Sequence, residues 1–321
     1  MAVPTGTFQR YAAVGMREDL EDIIYDISPM DTPFMSNVTR KKATSTFHEW
    51  QTDSLDSAVA TNAQIEGDDA NTNTATATSR FGNYTQILTK VPRVSGTLRA
   101  SDTAGRRDEL SYQIAKRGRE LKRDMEATFL GTQAATAGAA ASARVMAGVA
   151  AWLFTNQVKN GTAATTPTIT SGAPGTAPTS GTAATFTESM LKSVIKQCWD
   201  NGGSPNVIFT GSFNKQIASA FAGIATQYRD NQQTGPATII GSADIYVSDF
   251  GQHQIVADRF MPPNQVYALD MEYWSVAYLR PIQNVELAKT GDSDRSMILA
   301  ECTVVADNPS ASGKVYAVTT S

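Results

Sequence analysis

The sequence predicts an α+β protein, and three observations support that fold class. One long amphipathic helix, at residues 105–132, stands apart from the other helical segments. Residues 186–262 alternate shorter helices and strands, the pattern of a small α/β lobe. Two long stretches near the C-terminus, 265–283 and 296–307, alternate apolar and polar residues as antiparallel strands do.

The chain begins with a predicted N-terminal arm, residues 1–40. Its only periodic part is "REDLEDIIYDIS" at 17–28, a short acidic helix that Pro29 ends. Residues 41–100 then form a predicted long β-hairpin. Its arms are the extended runs 44–53 and 83–96, and its polar tip is "IEGDDANTNTATATSR" at 65–80. Such a hairpin is marginal alone and needs a neighbour to rest on.

The long helix belongs to a predicted segment 101–144. Ser101 or Asp102 can cap its start, and Gly131 can end it. Its apolar residues fall within a stripe of about 100°, so we expect one face to lie on a flat surface. The stripe consists of Leu110, Ile114, Leu121, Met125 and Phe129.

The lobe is predicted to span residues 145–262. It starts with "VMAGVAAWLF" at 145–154, a buried helix or strand, followed by a low-complexity segment at 161–185. Apart from Ile169, every residue of that segment is Gly, Thr, Ala, Ser or Pro, a composition typical of disorder in isolation. A packed assembly is one candidate for what orders it. In the next helix Trp199 is predicted to be buried, and the fragment 186–262 is predicted to fold largely by itself.

The last segment, 263–321, contains the two long strands. In the first strand the apolar side changes at Trp274, which indicates either a bulge or two different partners. The second strand places Ile298, Ala300, Cys302 and Val304 in step. "AKTGDSDR" at 288–295 is the predicted turn between them.

Composition excludes several functional classes. The 321 residues are 41% hydrophobic, and the net charge is −4, with 27 basic against 31 acidic residues, so nothing marks a nucleic-acid surface. "MAVPTGTFQR" lacks a signal-peptide pattern, and the longest apolar run is too short to span a bilayer. Cys198 and Cys302 are the only cysteines, which fits a reducing cytosol. We expect a soluble protein with no membrane contact.

Motifs for chemistry are missing from the sequence. It has two distant histidines, His48 and His253, and contains no G-x-S-x-G, H-E-x-x-H, P-loop or G-x-G-x-x-G motif. "EGDDAN" and "TGDSDR" lack the spaced ligands of an EF-hand. We therefore predict no catalytic residue, no cofactor and no metal site.

The order of parts resembles the major capsid proteins of tailed bacteriophages, the Hong Kong 97-type fold. "LEDIIYDISPMDTPFMS", "GSADIYVSDFGQHQIVADRFMP", "VYALDMEYWSVAYLRP" and "ELAKTGDSDRSMILAECTVVADNP" resemble the SU-ten-like major head proteins. The resemblance implies that 41–100 is the E-loop, the long helix the spine of the P-domain, 145–262 the A-domain and 263–321 the long strands and P-loop of the P-domain.

The resemblance also implies partners and contacts. The subunit would assemble with itself into hexamers and pentamers of an icosahedral head around double-stranded DNA, which it contacts only weakly. Portal, a separate scaffolding protein and a cement protein are the other implied partners, with assembly in the bacterial cytoplasm; no fused scaffolding segment and no covalent cross-link are expected. The implied contact residues between subunits are Glu66, Asp68, Asp69, Arg80, Asp292, Asp294 and Arg295.

Two other readings stay open at this point. Another self-assembling protein, such as a tail-tube or surface-layer subunit, would give tubes or sheets instead of closed shells. A carbohydrate-active enzyme on a virion would use Glu66, Asp68 or Glu272 as its carboxylates. Electron microscopy and a glycan panel separate these readings from a capsid.

Overall fold

The computed structural model describes residues 31–67, 77–101, 108–160, 164–221 and 244–320. The predicted acidic helix at 17–28 lies outside these ranges. The helices in the described ranges are α1 Pro33–Asn37, α2 Gly96–Ala100, α3 Glu109–Phe129, α4 Val149–Trp152, α5 Glu188–Asp200 and α6 Ser212–Ser219. None of them combines the length and apolarity needed to cross a membrane.

The strands divide between two large sheets and two small ones. In chain order they are β1 Thr39–Lys42, β2 Phe47–Thr52, β3 Ser79–Tyr84, β4 Gln86–Lys90, β5 Arg93–Ser95, β6 Asn156–Lys159, β7 Ile169–Thr170, β8 Ala173–Pro174, β9 Val207–Thr210, β10 Ile245–Ser248, β11 Gly251–Ala257, β12 Gln265–Leu269, β13 Trp274–Glu286, β14 Ser293–Ala306 and β15 Gly313–Tyr316. A 3-10 turn, Met271–Tyr273, joins β12 to β13.

The wall sheet has the order β1-β13-β14-β4, with β5 pairing further along β14. The spine helix α3 lies against β14 and β4. Its C-terminal half carries the predicted stripe into the core, because Leu121, Met125 and Phe129 are fully buried. Leu110 and Ile114, in the first turns, are only partly buried.

The start of the spine helix differs from the prediction. Asp108 caps it, with the carboxylate accepting from the backbone N–H groups of Leu110 and Ser111. Ser101, one of the two predicted caps, instead ends the short helix α2, and Asp102 lies outside the described residues. The helix therefore begins later than predicted, since the capping carboxylate comes about two turns after Ser101 and Asp102.

The lobe sheet has the order β10-β11-β9-β12-β15-β6, with α5 on one side. Its strands β12 and β15 lie beyond residue 262 and β6 lies before 186, so the predicted boundary at 262 divides a single sheet. A fragment 186–262 would lack three of the six strands, and we no longer expect it to fold alone. The change of apolar side at Trp274 reflects two different partners, because β12 and β13 are separate strands in different sheets.

The two arms of the predicted hairpin meet different partners. β2 pairs with β3 from Phe47↔Tyr84 to Thr52↔Ser79, so this hairpin is real but narrower than 41–100. Most of the predicted second arm, β4 and β5, pairs with β14 in the wall sheet. β1 also belongs to the wall, in parallel register with β13. We call residues 47–84 the extension.

Buried polar groups fix the base of the extension to the wall. The Asn83 side chain donates to the carbonyls of Ala147 (3.1 Å) and Val304 (2.9 Å) and accepts from the Ala147 N–H (2.9 Å). The Glu301 carboxylate, 3% exposed, bonds Arg144 at 2.5 Å and Arg280 at 2.8 Å. Because every buried polar atom of these two side chains has a partner, the base is held in one orientation.

The apolar segment 145–154 is buried as predicted, and the short helix α4 within it is fully enclosed. The low-complexity segment, described from residue 164, makes hydrogen bonds with other parts of its own chain. The Gly82 N–H donates to the Gly172 carbonyl at 3.0 Å, and Ala135 N–H donates to Pro174 at 2.8 Å. Gly172 has φ +81°, and a Cβ there would lie 2.7 Å from the Arg80 carbonyl oxygen.

Candidate assembly surfaces

The outer part of the extension exposes aliphatic side chains. Leu55 is 100% exposed, Ile65 76% and Val59 66%, in a segment without regular secondary structure among its described residues. The base of the same extension packs inward, because the ring of Trp50 lies 5.2 Å from that of Trp152. The extension thus has an apolar outer part that nothing in its own described chain covers.

The predicted charges of the extension are placed as follows. Glu66 is exposed, and Asp68 and Asp69 lie outside the described residues. Arg80, on β3, forms an exposed ion pair with Glu49 on β2 at 3.1 Å. An exposed pair of this kind contributes at most about 1 kcal/mol, so Arg80 is available to exchange partners.

The predicted turn at 288–295 is present between β13 and β14, with Gly291 at φ +77°. Asp294 pairs within the chain, with Lys289 at 2.6 Å and with Arg99 of α2. These two cations, Lys289 first, hold the pKa of Asp294 below its ordinary value. Arg295 donates to the Ala288 carbonyl at 3.2 Å. Internal bonds therefore fix the shape of the turn.

Asp292 closes the same turn against the start of α2. Its carbonyl accepts from the Gly96 N–H at 3.2 Å, and its side chain fills the space beside that glycine. The structure brings Asp292, Asp294 and Arg295 together in one turn, in a different sheet from Arg80. The sequence-predicted contact residues thus form two separate groups.

The arm root, residues 31–38, is anchored in the core. Both oxygens of the fully buried Glu126 on the spine helix accept backbone N–H groups, from Phe34 at 2.6 Å and Met35 at 2.9 Å. Burial, and after it a hydrogen bond with Asp258, raises the pKa of Glu126 to about 8. At neutral pH this carboxyl therefore holds a proton and joins the arm root, the spine helix and the lobe.

Phe34 reinforces the same anchor. Its ring lies 6.2 Å from Phe129 of the spine, 6.0 Å from Phe209 of the lobe sheet and 6.4 Å from Trp274 of the wall sheet. Sequence reasoning identified none of these roles, because a single Phe directly after a proline carries no periodic signal.

The lobe exposes a third surface at its edge. Ile245 and Val247 on β10 are 55% and 58% exposed, while Tyr246 between them is buried. On α5, Trp199 is 54% exposed and its ring lies 5.3 Å from Phe250. The prediction that Trp199 is buried was wrong, because the helix turns this position past the edge of the sheet. Four apolar side chains missed by the sequence reasoning therefore lie on this edge of the lobe.

Comparison with known proteins shows the family to which this chain belongs. The chain matches the family model described as SU10 major capsid protein over residues 3–319. The chain belongs to the SU10 major capsid protein family. A curated relative, the major capsid protein of Escherichia phage Phieco32, is 30% identical over 353 aligned positions and is covered over 98% of each chain.

Solved structures agree with the family on the fold. The capsid of the cyanophage A-1(L) superposes with a TM-score of 0.62 at 12% identity, over 95% of this chain and 97% of that one. The capsid of the native GTA particle gives a TM-score of 0.60 at 12% identity, over 97% of both chains. The predicted Hong Kong 97-like α+β fold is confirmed.

Membership of the SU10 family also gives the function. The chain is a major capsid protein of a tailed phage, and it forms the capsid shell of the virion. The tail-tube and surface-layer readings are not supported, because the relatives and structural neighbours are capsid proteins.

The side chains that could carry chemistry have structural partners in this capsid fold. His253 contacts Ser248 at 2.6 Å, in the tight turn that joins β10 to β11, and its other nitrogen contacts the Pro205 carbonyl. Cys198 and Cys302 are buried, which raises the pKa of each thiol to about 12. Within the described ranges, no three His, Cys, Asp or Glu side chains cluster as metal ligands.

Proposed function

We propose that this capsid subunit assembles into hexamers and pentamers of an icosahedral head, and that the extension joins neighbouring copies as an E-loop. The observation that carries this proposal is the exposure of Leu55, Val59 and Ile65. Burying an aliphatic side chain stabilises an interface by about 1.5–3 kcal/mol, so three of them give the extension a favourable contact in a shell.

The contrast between base and outer part supports the same assignment. The base is fixed by Asn83 and by the Trp50–Trp152 contact, whereas Leu55, Val59 and Ile65 in the outer part remain mostly exposed. A fixed base with an uncovered outer part lets one subunit reach another at more than one local curvature. Glu66, Asp68, Asp69 and Arg80 are the proposed polar contacts around this apolar centre.

The turn at 288–295 is the second proposed contact, where subunits meet at three-fold positions. Asp292, Asp294 and Arg295 would act there through a turn whose shape the internal ion pairs set. The proposed domain assignment follows, with the wall sheet and spine helix as P-domain and the lobe as A-domain.

Further partners are inferred from the function of a head shell. We propose a portal protein, a separate scaffolding protein and a cement protein, with weak contact to packaged double-stranded DNA, in keeping with a net charge of −4. We also propose that the subunit is not an enzyme. Of the three candidate carboxylates, Glu66 is exposed in the extension and Glu272 in the turn Met271–Tyr273, and Asp68 lies outside the described residues.

The test replaces Leu55, Val59 and Ile65 together by serine. The free subunit should keep its unfolding midpoint, since these side chains are exposed in it, while closed particles counted by electron microscopy should fall at least tenfold. A deletion of residues 68–78 should likewise leave a folded subunit and impair particles.

A conservative triple variant is the matched control. Leu55→Met, Val59→Ile and Ile65→Val keep the apolar area and should assemble normally. Hydrogen exchange gives an independent readout, because residues 53–67 should be unprotected in free subunits and protected in particles, as expected for an interface of about 1,000 Å² or more. Normal particles from the serine variant, with equal exchange in both states, would sink the proposal.

A further inference from the structure

The side of the spine helix that does not face the core is strongly basic. Residues 115–124, "AKRGRELKRD", contain five basic and two acidic side chains, in a chain whose net charge is −4. At 100° per residue, four of the basic side chains fall within about 120° of the helix circumference, and these are Lys116, Arg119, Lys122 and Arg123. The first three of them are exposed. The overall charge therefore conceals a local excess of positive charge.

The two acidic side chains of this stretch do not neutralise the basic side. Glu120 pairs with Arg117 at 2.5 Å, and Asp124 pairs with Lys90 of β4 at 2.6 Å. Both carboxylates lie on the flank of the helix that borders β4. Within the described ranges, the two exposed lysines of the basic side form no ion pair. Their charges are therefore available to an anionic partner.

The edge strand β1 extends this basic surface. Arg40 and Lys42 are exposed, and they lie in register with Val276 and Tyr278 of β13. Side chains of directly paired residues lie on the same face of a sheet. Because Arg40 and Tyr278 line one groove with Lys122, this is the face that carries the spine helix. We call the surface formed by Arg40, Lys42, Lys116 and Lys122 the spine face.

The opposite face of the wall sheet carries the extension. Trp50, at the base of the extension, packs against Ala277 and Val305. These two residues alternate with the residues of β13 and β14 that face the spine helix, so they lie on the other face of the sheet. Residues 53–67 of the extension contain three acidic side chains and no basic one. The wall sheet therefore separates a basic surface from an acidic extension.

A surface with several unpaired cations fits a partner whose negative charges are closely spaced. Lys116 and Lys122 lie about 9 Å apart along the helix, and B-form DNA carries one negative charge per about 1.7 Å of its axis. The inference rests on the proposed enclosure of double-stranded DNA, which brings a partner of this chemistry to one side of the wall. We propose that the spine face contacts the packaged DNA, through ion pairs between its four cations and phosphate groups.

Binding of duplex DNA to the free subunit tests these charges. The binding constant for a labelled duplex of about 24 base pairs is measured by fluorescence anisotropy at several salt concentrations. Lys116→Gln combined with Lys122→Gln should lower the affinity roughly tenfold or more at about 50 mM salt. The slope of log K against log salt should fall by about 1.8, because each phosphate contact contributes about 0.9.

A second double variant is the matched control. Lys192→Gln combined with Lys196→Gln removes the same charge from α5, where both lysines are exposed and form ion pairs within the helix. This variant should keep the wild-type slope. Both double variants should keep the wild-type unfolding midpoint, since all four side chains are exposed.

Lysine acetylation tests the same surface in the assembled shell. Lys116 and Lys122 should react several-fold faster in emptied particles than in particles filled with DNA, because phosphate contacts cover their amines. Lys192 is the internal control and should react equally in both kinds of particle.

Three outcomes overturn the proposal. Equal slopes for the two double variants show that DNA does not bind through the spine face. Equal acetylation of Lys116 in filled and emptied particles shows that packaged DNA does not cover it. Poly-glutamate that binds as tightly as a duplex of equal charge assigns the surface to an acidic protein. If the wild-type subunit forms no closed particles, the proposed assembly fails, and the salt slopes still decide whether the spine face binds DNA.

Discussion

The wall sheet with its spine helix and the extension use apolar residues in opposite ways. In the wall, Leu121, Met125 and Phe129 are fully buried, and β14 buries Cys302 and Val304. In the extension, Leu55, Val59 and Ile65 are 66–100% exposed. The wall thus buries its apolar side chains within one subunit, whereas the described chain leaves those of the extension exposed, as the proposed contact between subunits requires.

This difference separates folding from assembly within one chain. A substitution in the wall should lower the stability of the free subunit, and a substitution in the outer extension should lower only the yield of particles. The arm root lies on the folding side of this division, because Phe34 and Glu126 bury it against the spine.

The largest effect should come from Phe34→Ala. The ring is fully buried between Phe129, Phe209 and Trp274, so its removal should lower the free energy of unfolding by about 3–5 kcal/mol. Denaturant unfolding of the free subunit measures the change. Leu55→Ala is the control and should change the free energy of unfolding by less than about 0.5 kcal/mol. Similar losses in both variants would erase the distinction between the two regions.

A pH-dependent effect should come from Glu126→Gln. The ordinary pKa of 4.5 is raised to about 8 in the folded subunit, so the folded state holds a proton that the unfolded chain releases. The wild-type contribution is therefore complete below about pH 4.5 and is lost as pH rises through about 8. Unfolding free energies measured from pH 5 to pH 8.5 should fall by a few kcal/mol in the wild type and stay flatter in the variant.

Glu120→Gln provides the matched control for that profile. Glu120 lies on the same helix, partly exposed, and pairs with Arg117 at 2.5 Å. Its variant should keep the wild-type slope over this pH range. A wild-type slope of the opposite sign would contradict a protonated Glu126 at the anchor.

The smallest effect should come from Trp199→Ala. Its side chain is 54% exposed and contacts Phe250, so the free subunit should lose about 1 kcal/mol or less. If denaturant unfolding shows that Trp199→Ala lowers the free energy of unfolding by about 3 kcal/mol or more, the side chain is buried, as the helix pattern predicted. If the variant gives fewer particles while its free energy of unfolding is unchanged, the lobe edge, like the outer extension, serves assembly and not folding.

Sequence periodicity recovered the elements that are buried along one continuous face. The spine helix, the strand with Ile298, Ala300 and Cys302, and the enclosed segment 145–154 all follow from spacing alone. The resemblance of four quoted motifs added the capsid fold and function. Exposure of Trp199 escaped the pattern, because a helical stripe cannot show where the sheet beneath it ends.

The sequence by itself therefore determined the long helix, the long C-terminal strands and the family, because each rests on the order of residues within a continuous segment. Only the tertiary structure decided that β12 and β15 complete the lobe sheet, that β4 pairs with β14 instead of the extension, and that Glu126 is buried against Phe34 and Met35. These choices depend on contacts between residues that are far apart in the chain, such as Phe34 and Glu126, 92 positions apart, or Gln86 and Cys302, which are more than twice as far apart. Spacing along the chain does not encode which distant partner satisfies a strand edge or a carboxyl group.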